Sequence, residues 1–187
     1  MVLPAPIRSV CLFCGSSDAV DPKYALEARR FGEGLARAGL RLVYGGGGVG
    51  LMGAAARGAH DAGGAVLGVM PDFLRHHERL YDEVETRVVT TMHERKMIMF
   101  EESDAFVVAP GGIGTLEEVV ELLSWKRLDL HDKPVIFLNL DGFWDAFFAM
   151  MRHSVEAGMT PASFQHAYQA RPSADSVIES LCAMRPT

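Results

Sequence analysis

Two glycine-rich turns carry the first chemical signal of the chain. Gly45-Gly46-Gly47-Gly48-Val49-Gly50-Leu51-Met52-Gly53 satisfies G-x-G-x-x-G spacing, and Pro110-Gly111-Gly112-Ile113-Gly114-Thr115 is a second turn of the same kind. Glycine lets backbone N–H groups approach an oxyanion, and a helix opening at such a turn aims its unpaired N–H groups and positive dipole end at that spot. Neither turn runs into Gly-Lys-Ser/Thr, so a nucleoside triphosphate with magnesium is not the expected ligand. A monophosphate is chemically simpler, with the Thr115 hydroxyl as a further donor. The first turn taken alone reads equally well as tight helix packing. A dinucleotide site with Asp72 as its ribose acid is a minor alternative, because the chain has no room for a separate substrate domain.

Thr91-Met92-His93-Glu94-Arg95-Lys96 places two cations in the opening turns of a helix, where the macrodipole disfavours positive charge. An anionic ligand at that end would reverse the penalty, whereas two solvated surface cations are the bland reading. The run Met97-Ile98-Met99-Phe100 suggests that this helix is largely buried, which favours the ligand. Glu118 lies three residues after Thr115, so spacing alone makes it the partner of Thr115 in a capping box. Glu117 and Glu121 are equally available acids, and periodicity selects none of the three.

Around these residues, short β-branched runs alternate with longer helical patterns, the sign of repeated βαβ units. Strands are expected at 9–14, 40–44, 65–70 (ended by Pro71), 84–89, 105–109 and 134–138. Helices are expected at 22–38, opened by Asp21 and Pro22, then at 50–62, 92–102 behind a Thr91/Glu94 capping box, 115–128, 143–156 and 174–183. Residues 72–83 read as loop or short helix. The sum is an α/β fold: a Rossmann-like, doubly wound parallel sheet flanked by helices, in one domain over 1–187, with ligands beyond the carboxyl ends of its strands.

Composition sets the limits. A chain of 187 residues, 49% hydrophobic and 22% charged, is ordinary globular protein rather than disordered or collagen-like. With 18 basic and 24 acidic residues the net charge is −6, which excludes a sequence-independent nucleic-acid footprint at the whole-chain level. No run approaches a membrane span, residues 1–9 lack the pattern of a secretory signal, and three cysteines cannot close a disulfide framework, so a cytoplasmic protein is expected.

Taken together, Cys14-Gly15-Ser16-Ser17, Tyr44-Gly45-Gly46-Gly47 with Gly50-Leu51-Met52-Gly53, Met92-His93-Glu94-Arg95-Lys96 and Pro110-Gly111-Gly112-x-Gly114-Thr115-x-x-Glu118 resemble the Lonely Guy (LOG) family. His131-Asp132-Lys133-Pro134 and Asn139-Leu140-Asp141-Gly142 continue the likeness. The resemblance implies a cytokinin riboside 5'-monophosphate phosphoribohydrolase: water cleaves an N-glycosidic bond, releasing an N6-modified adenine and ribose 5-phosphate, with neither cofactor nor metal. It maps catalysis onto Arg95 and Glu118. It maps nucleotide binding onto Gly15 and Ser16, Gly46 and Gly47, Met92 and Lys96, the turn Pro110, Gly111, Gly112, Gly114 and Thr115, and Ser124, which stands where many relatives carry threonine. A homodimer with sites near the subunit interface is implied as well, and residues 72–83 leave base specificity open. A non-catalytic nucleotide or pterin-cofactor carrier on the same fold is the alternative from another class.

Other signals are weaker. Cys11 and Cys14 have C-x-x-C spacing but are expected on opposite faces of a strand. His93-Glu94 is followed by Met97 rather than the second histidine of a zinc protease, and His76-His77-Glu78 reads as polar loop rather than metal site. Ser16 and Ser17 lack a nucleophile elbow. A lysine decarboxylase label, once common for such relatives, would require pyridoxal phosphate on a lysine, and only Lys96 falls near the inferred site.

Overall fold

The computed structural model describes residues 6–184; residues 1–5, part of the stretch read above for a secretory signal, lie outside the described residues. Seven strands, all parallel, form one sheet in the order β4-β3-β2-β1-β5-β6-β7. They are β1 (Ser9–Phe13), β2 (Arg41–Tyr44), β3 (Val66–Pro71), β4 (Glu85–Val89), β5 (Ala105–Val108), β6 (Val135–Leu138) and β7 (Gln169–Arg171). The helices are α1 (Pro22–Arg37), α2 (Gly50–Asp61), a short α3 (Arg75–Glu78), α4 (Met92–Glu101), α5 (Ile113–Arg127), α6 (Asp145–Glu156) and α7 (Ala174–Ala183). The expected doubly wound α/β class is what the chain adopts.

Strand alternation builds two cores. Val10 and Leu12 point into one with Phe31 of α1, Ala55 of α2 and Val177 of α7; Cys11 and Phe13 point into the other with Met99 of α4 and Val119 of α5. The two cysteines therefore lie on opposite faces, as their spacing required. Helices α1 and α2 cross so closely that a Cβ on Gly32 would overlap the Ala55 carbonyl, which is why glycine occupies the buried stripe of α1 beside Ala28, Phe31 and Leu35.

Chain order reverses between β1 and β5, and at such a switch point the loops leaving adjacent strands diverge to opposite faces and open a crevice. Here the Gly15 N–H donates to the Pro110 carbonyl at 3.0 Å, joining the two loops across it. Three expectations change. Pro71, expected just beyond the third strand, is instead the last residue of β3, paired with Val89. Strand β7 was not anticipated, because Gln-Ala-Arg at a sheet edge carries neither alternation nor β-branching. Helix α4 is not largely buried within the chain: only Arg95 and Met99 are, and the other apolar side chains are partly exposed.

Candidate active site

A cavity of about 590 Å³ opens at the carboxyl ends of the central strands, the size range of small-molecule sites. The loop after β1 supplies Gly15, Ser16 and Ser17; the loop after β5 supplies Pro110, Gly111 and Gly112; α4 supplies Met92 and Arg95; and α5 supplies Ile113, Gly114, Thr115, Glu117 and Glu118. Much of the remaining wall is apolar, with Leu51, Met52, Leu74, Val20, Tyr24 and Phe143.

Arg95 is the charged group set deepest, 5% exposed. Its Nε donates to the Val69 carbonyl at 3.1 Å and its Nη2 to the Gly45 carbonyl at 2.9 Å. The carboxylate of Glu78 stands 3.5 Å from Nη2. A Cβ on Gly45 would collide with that same nitrogen, so the glycine is required by the arginine. Nη1 takes no hydrogen bond within the described residues, and the guanidinium lines the cavity.

Helices α2, α4 and α5 begin at the cavity wall, and the first two are already capped. At α2, the Asp18 carboxylate accepts from Gly50 N–H at 2.7 Å and the Gly15 carbonyl from Leu51 N–H at 3.1 Å. At α4, the Thr91 side chain accepts from Glu94 N–H while the Glu94 carboxylate accepts from Thr90 and Thr91. Helix α5 is different. Its N-cap is Gly112, with no side chain to offer and no acid in the first turn, and the N–H groups of Ile113, Gly114 and Thr115 have no partner among the described residues. A helix start left in this state is an anion seat.

This N-terminus also overturns the capping-box reading of Thr115 and Glu118. Thr115 is a buried residue of the first turn, not the cap, and Glu118 makes no hydrogen bond back to it. Glu118 is partly buried, lines the cavity and takes no hydrogen bond from the described residues. Burial pushes its carboxyl up from the ordinary 4.5 to about 7; Arg95 opposes the rise, Glu117 and Glu78 add to it, and Lys96 opposes it.

The sequence-predicted residues divide accordingly. Gly15, Ser16, Met92, Arg95 and Glu118 line the cavity, as do Pro110, Gly111, Gly112, Gly114 and Thr115. Gly46 and Gly47 do not. Gly46 accepts from Tyr81 N–H, Gly47 bridges Leu80, and the neighbouring Gly48 N–H donates to the carbonyls of Glu78 and Arg79, so the first glycine turn holds a segment of the chain itself. Lys96 does not line the cavity but is bound to Glu117, which does, at 2.6 Å and to Glu121 at 2.7 Å, and Ser124 lies in a separate groove between α5 and α6. Sequence reasoning missed Asp18 and Glu78 as site residues. Gly45 was named as part of the first glycine turn but not as a partner of Arg95, and Glu78 stands in a polar stretch without periodicity. Of the groups set aside earlier, Cys14 lines the cavity; burial pushes the Cys11 and Cys14 thiols well up.

A family model described as "Possible lysine decarboxylase" matches residues 52–181. A probable cytokinin riboside 5'-monophosphate phosphoribohydrolase of Oryza sativa subsp. japonica is 45% identical over 93% of this chain and 77% of its own length. A cytokinin riboside 5'-monophosphate phosphoribohydrolase of Arabidopsis thaliana is 39% identical over 99% of this chain and 82% of its own. Among solved structures, the molybdenum cofactor binding protein from the phototrophic bacterium Rippkaea orientalis superposes with a TM-score of 0.72 at 25% identity, covering 95% of this chain and 96% of that one. The molybdenum cofactor carrier protein from Chlamydomonas reinhardtii gives 0.72 at 22%, covering 95% and 97%, and shares the fold.

Glu118 makes stability depend on pH with a definite sign. Its folded pKa is raised, so the folded state holds the proton more tightly, and stability falls as pH rises from about 4.5 to about 7. Glu118→Gln keeps the neutral form at every pH. Urea denaturation of this variant should match wild type at pH 4.5 and exceed it at pH 8 by on the order of 1–2 kcal/mol. A variant less stable than wild type at pH 8 would restore a structural role for the carboxylate.

Proposed function

The chain belongs to the Lonely Guy (LOG) family, and from that premise we propose that it hydrolyses the N-glycosidic bond of adenosine 5'-monophosphates, plain or N6-modified, releasing the free base and ribose 5-phosphate. The single observation that carries this reading is the uncapped start of α5 with Glu118 one turn further along, opposite the buried Arg95. The 5'-phosphate takes the N–H groups of Ile113, Gly114 and Thr115 and the Thr115 hydroxyl. Gly111 and Gly112 keep that turn free of side chains, while Gly15, Ser16 and Pro110 close it from the side of β1. The ribose then lies over Glu118, and the base lies against the apolar wall that includes Met92, Leu51 and Phe143.

Hydrolysis forms a bond from water oxygen to C1', breaks the bond from C1' to the base nitrogen, and leaves a proton to be taken up by the base. Positive charge gathers on the sugar as the base departs, and a carboxylate beneath it stabilises that charge or takes the water proton. With its carboxyl raised to about 7, Glu118 is poised between its two forms near neutral pH, the condition that suits proton transfer. Arg95, fixed by two carbonyls, offers Nη1 to the developing negative charge of the leaving base or to the phosphate. In this reading Gly46 and Gly47 serve the site indirectly, by holding the segment that carries Glu78.

A decarboxylase reading does not fit these residues. Each of the four lysines is committed: Lys23 to Asp141, Lys96 to two glutamates, Lys126 to the carbonyls of Asp132 and Lys133, and Lys133 to that of Phe100. None lines the cavity, so no imine-forming lysine faces a ligand there. A carrier that binds without cleaving is the competing reading, favoured by the likeness to the cofactor-binding protein of Rippkaea orientalis. The same proposal makes the protein a cytoplasmic homodimer. Ile113 at 85% and Val120 at 52% exposure on α5, with Leu128 and Leu130 beyond its end, support a covered face, and the free thiols Cys11, Cys14 and Cys182 suit a reducing compartment.

Incubation with AMP or isopentenyladenosine monophosphate is expected to yield free base and ribose 5-phosphate, with adenosine at least ~100-fold poorer in kcat/KM. Glu118→Gln is expected to lose about a hundredfold or more in turnover while still binding AMP. Binding with no base released would establish the carrier, and equal rates on adenosine and AMP would remove the phosphate seat. Sedimentation is expected to give twice the chain mass of 20.4 kDa; a fully active monomer at high dilution would refute the dimer.

A further inference from the structure

The two cations of the Arg95-Lys96 pair leave α4 in different directions. Arg95 enters the cavity. Lys96, one residue on and so turned by about 100° around the helix, reaches across to α5. Its ammonium is held by Glu117 at 2.6 Å and Glu121 at 2.7 Å, and its side chain is only 14% exposed. Glu117 and Glu121 are one helical turn apart and form one edge of α5, while Glu118 is the acid of this group left without an ion pair among the described residues.

We propose that Lys96 is a positioning residue: clamped between Glu117 and Glu121, it ties α4 to α5 and so holds Arg95, Glu118 and the phosphate seat in one fixed arrangement. Without the clamp, Glu117, Glu118 and Glu121 would stand as three acids within about one turn of α5, with mutual repulsion to pull the helix from its place. The clamp has a cost, since an ammonium in the opening turns of α4 opposes the helix dipole and is largely desolvated. Two short ion pairs offset it. Burial alone would lower the Lys96 pKa, yet the hydrogen bonds to Glu117 and Glu121 outweigh it and the value is raised, so Lys96 stays charged throughout the working range.

Glu118 reports on this arrangement. The groups facing it are Arg95 and Lys96 of α4, Glu78 of α3, Cys11 in β1 and Cys14 just after it, and Glu117 on its own helix. Removing the Lys96 charge leaves the negative neighbours less opposed, and removing the Glu117 charge does the reverse.

The proposal rests on Glu118 acting as a carboxylate in the reaction proposed above, and the experiment separates the two. The kcat–pH profile with AMP is measured for wild type, Lys96→Met, Lys96→Arg and Glu117→Gln, alongside an NMR titration of the Glu118 carboxyl carbon in each protein without nucleotide. Lys96→Met is expected to move the Glu118 midpoint up by about one pH unit and Glu117→Gln to move it down, with Lys96→Arg near wild type. AMP dissociation constants are expected to change less than threefold. A Lys96→Met protein whose AMP affinity falls tenfold or more with an unmoved midpoint would make Lys96 a phosphate ligand instead, and no change in either would make it a bystander. Should no variant or wild type release base, the proposed reaction fails, while the carboxyl titration still decides the clamp. Should Lys96→Met not fold, the downward shift in Glu117→Gln remains, and an unshifted or upward midpoint there overturns the proposal.

Discussion

A guanidinium can be buried only where most of its N–H groups meet an acceptor or an opposite charge, and the burial of Arg95, with Nη1 left towards the cavity, is the constraint on which this structure turns. The acceptors are carbonyls at the ends of two adjacent strands, Gly45 after β2 and Val69 in β3. Strand order, register and the absence of a Cβ at Gly45 must therefore all be right at once. Glu78 supplies the nearby negative charge, and its own position depends on the Gly46–Gly48 backbone that binds residues 78–81. What looks in sequence like a ligand loop is thus partly a mount for an internal ion pair.

The same economy governs the helix termini. Asp18 fills the start of α2, and Thr91 with Glu94 fills the start of α4. Even α7, remote from the cavity, has its first N–H taken by the Glu27 carboxylate at 2.6 Å. Against this background the bare start of α5 stands out as the place that the proposed phosphate would complete. It lies at the switch point between β1 and β5, where the sheet topology already opens the crevice.

Much of this was legible in the sequence, for physical reasons that differ by element. Asp21-Pro22 and the stripe Ala28, Phe31, Leu35 fixed α1, since capping and burial act within one or two turns. The buried central strands announced themselves as β-branched runs. Strand β7 did not, because three half-exposed residues at an edge are paired by β6 rather than by their own preference. Thr115 and Glu118 had the spacing of a capping box, yet the helix starts at Ile113, two residues earlier, and no local pattern distinguishes the two starts. Nor could spacing separate the two glycine turns: which one is filled depends on Asp18, Arg79 and Leu80, which tertiary contacts bring there. The choice of Glu118 over Glu117 and Glu121 followed from family likeness at the sequence level. In the structure Lys96 engages the other two, which leaves Glu118 as the acid without an ion pair among the described residues and supports the proposed choice.

The central claim is that one helix terminus of three is reserved for the substrate phosphate. Backbone amide ¹⁵N–¹H shifts recorded while ribose 5-phosphate is titrated into the protein test it most directly, since they read each terminus separately and need no turnover. The account predicts large, saturable shifts at Ile113, Gly114 and Thr115, with Gly50, Leu51 and Glu94 nearly unmoved because Asp18, Gly15 and Thr91 already hold their N–H groups. Shifts centred on Gly50 and Leu51, with the start of α5 unaffected, would contradict it.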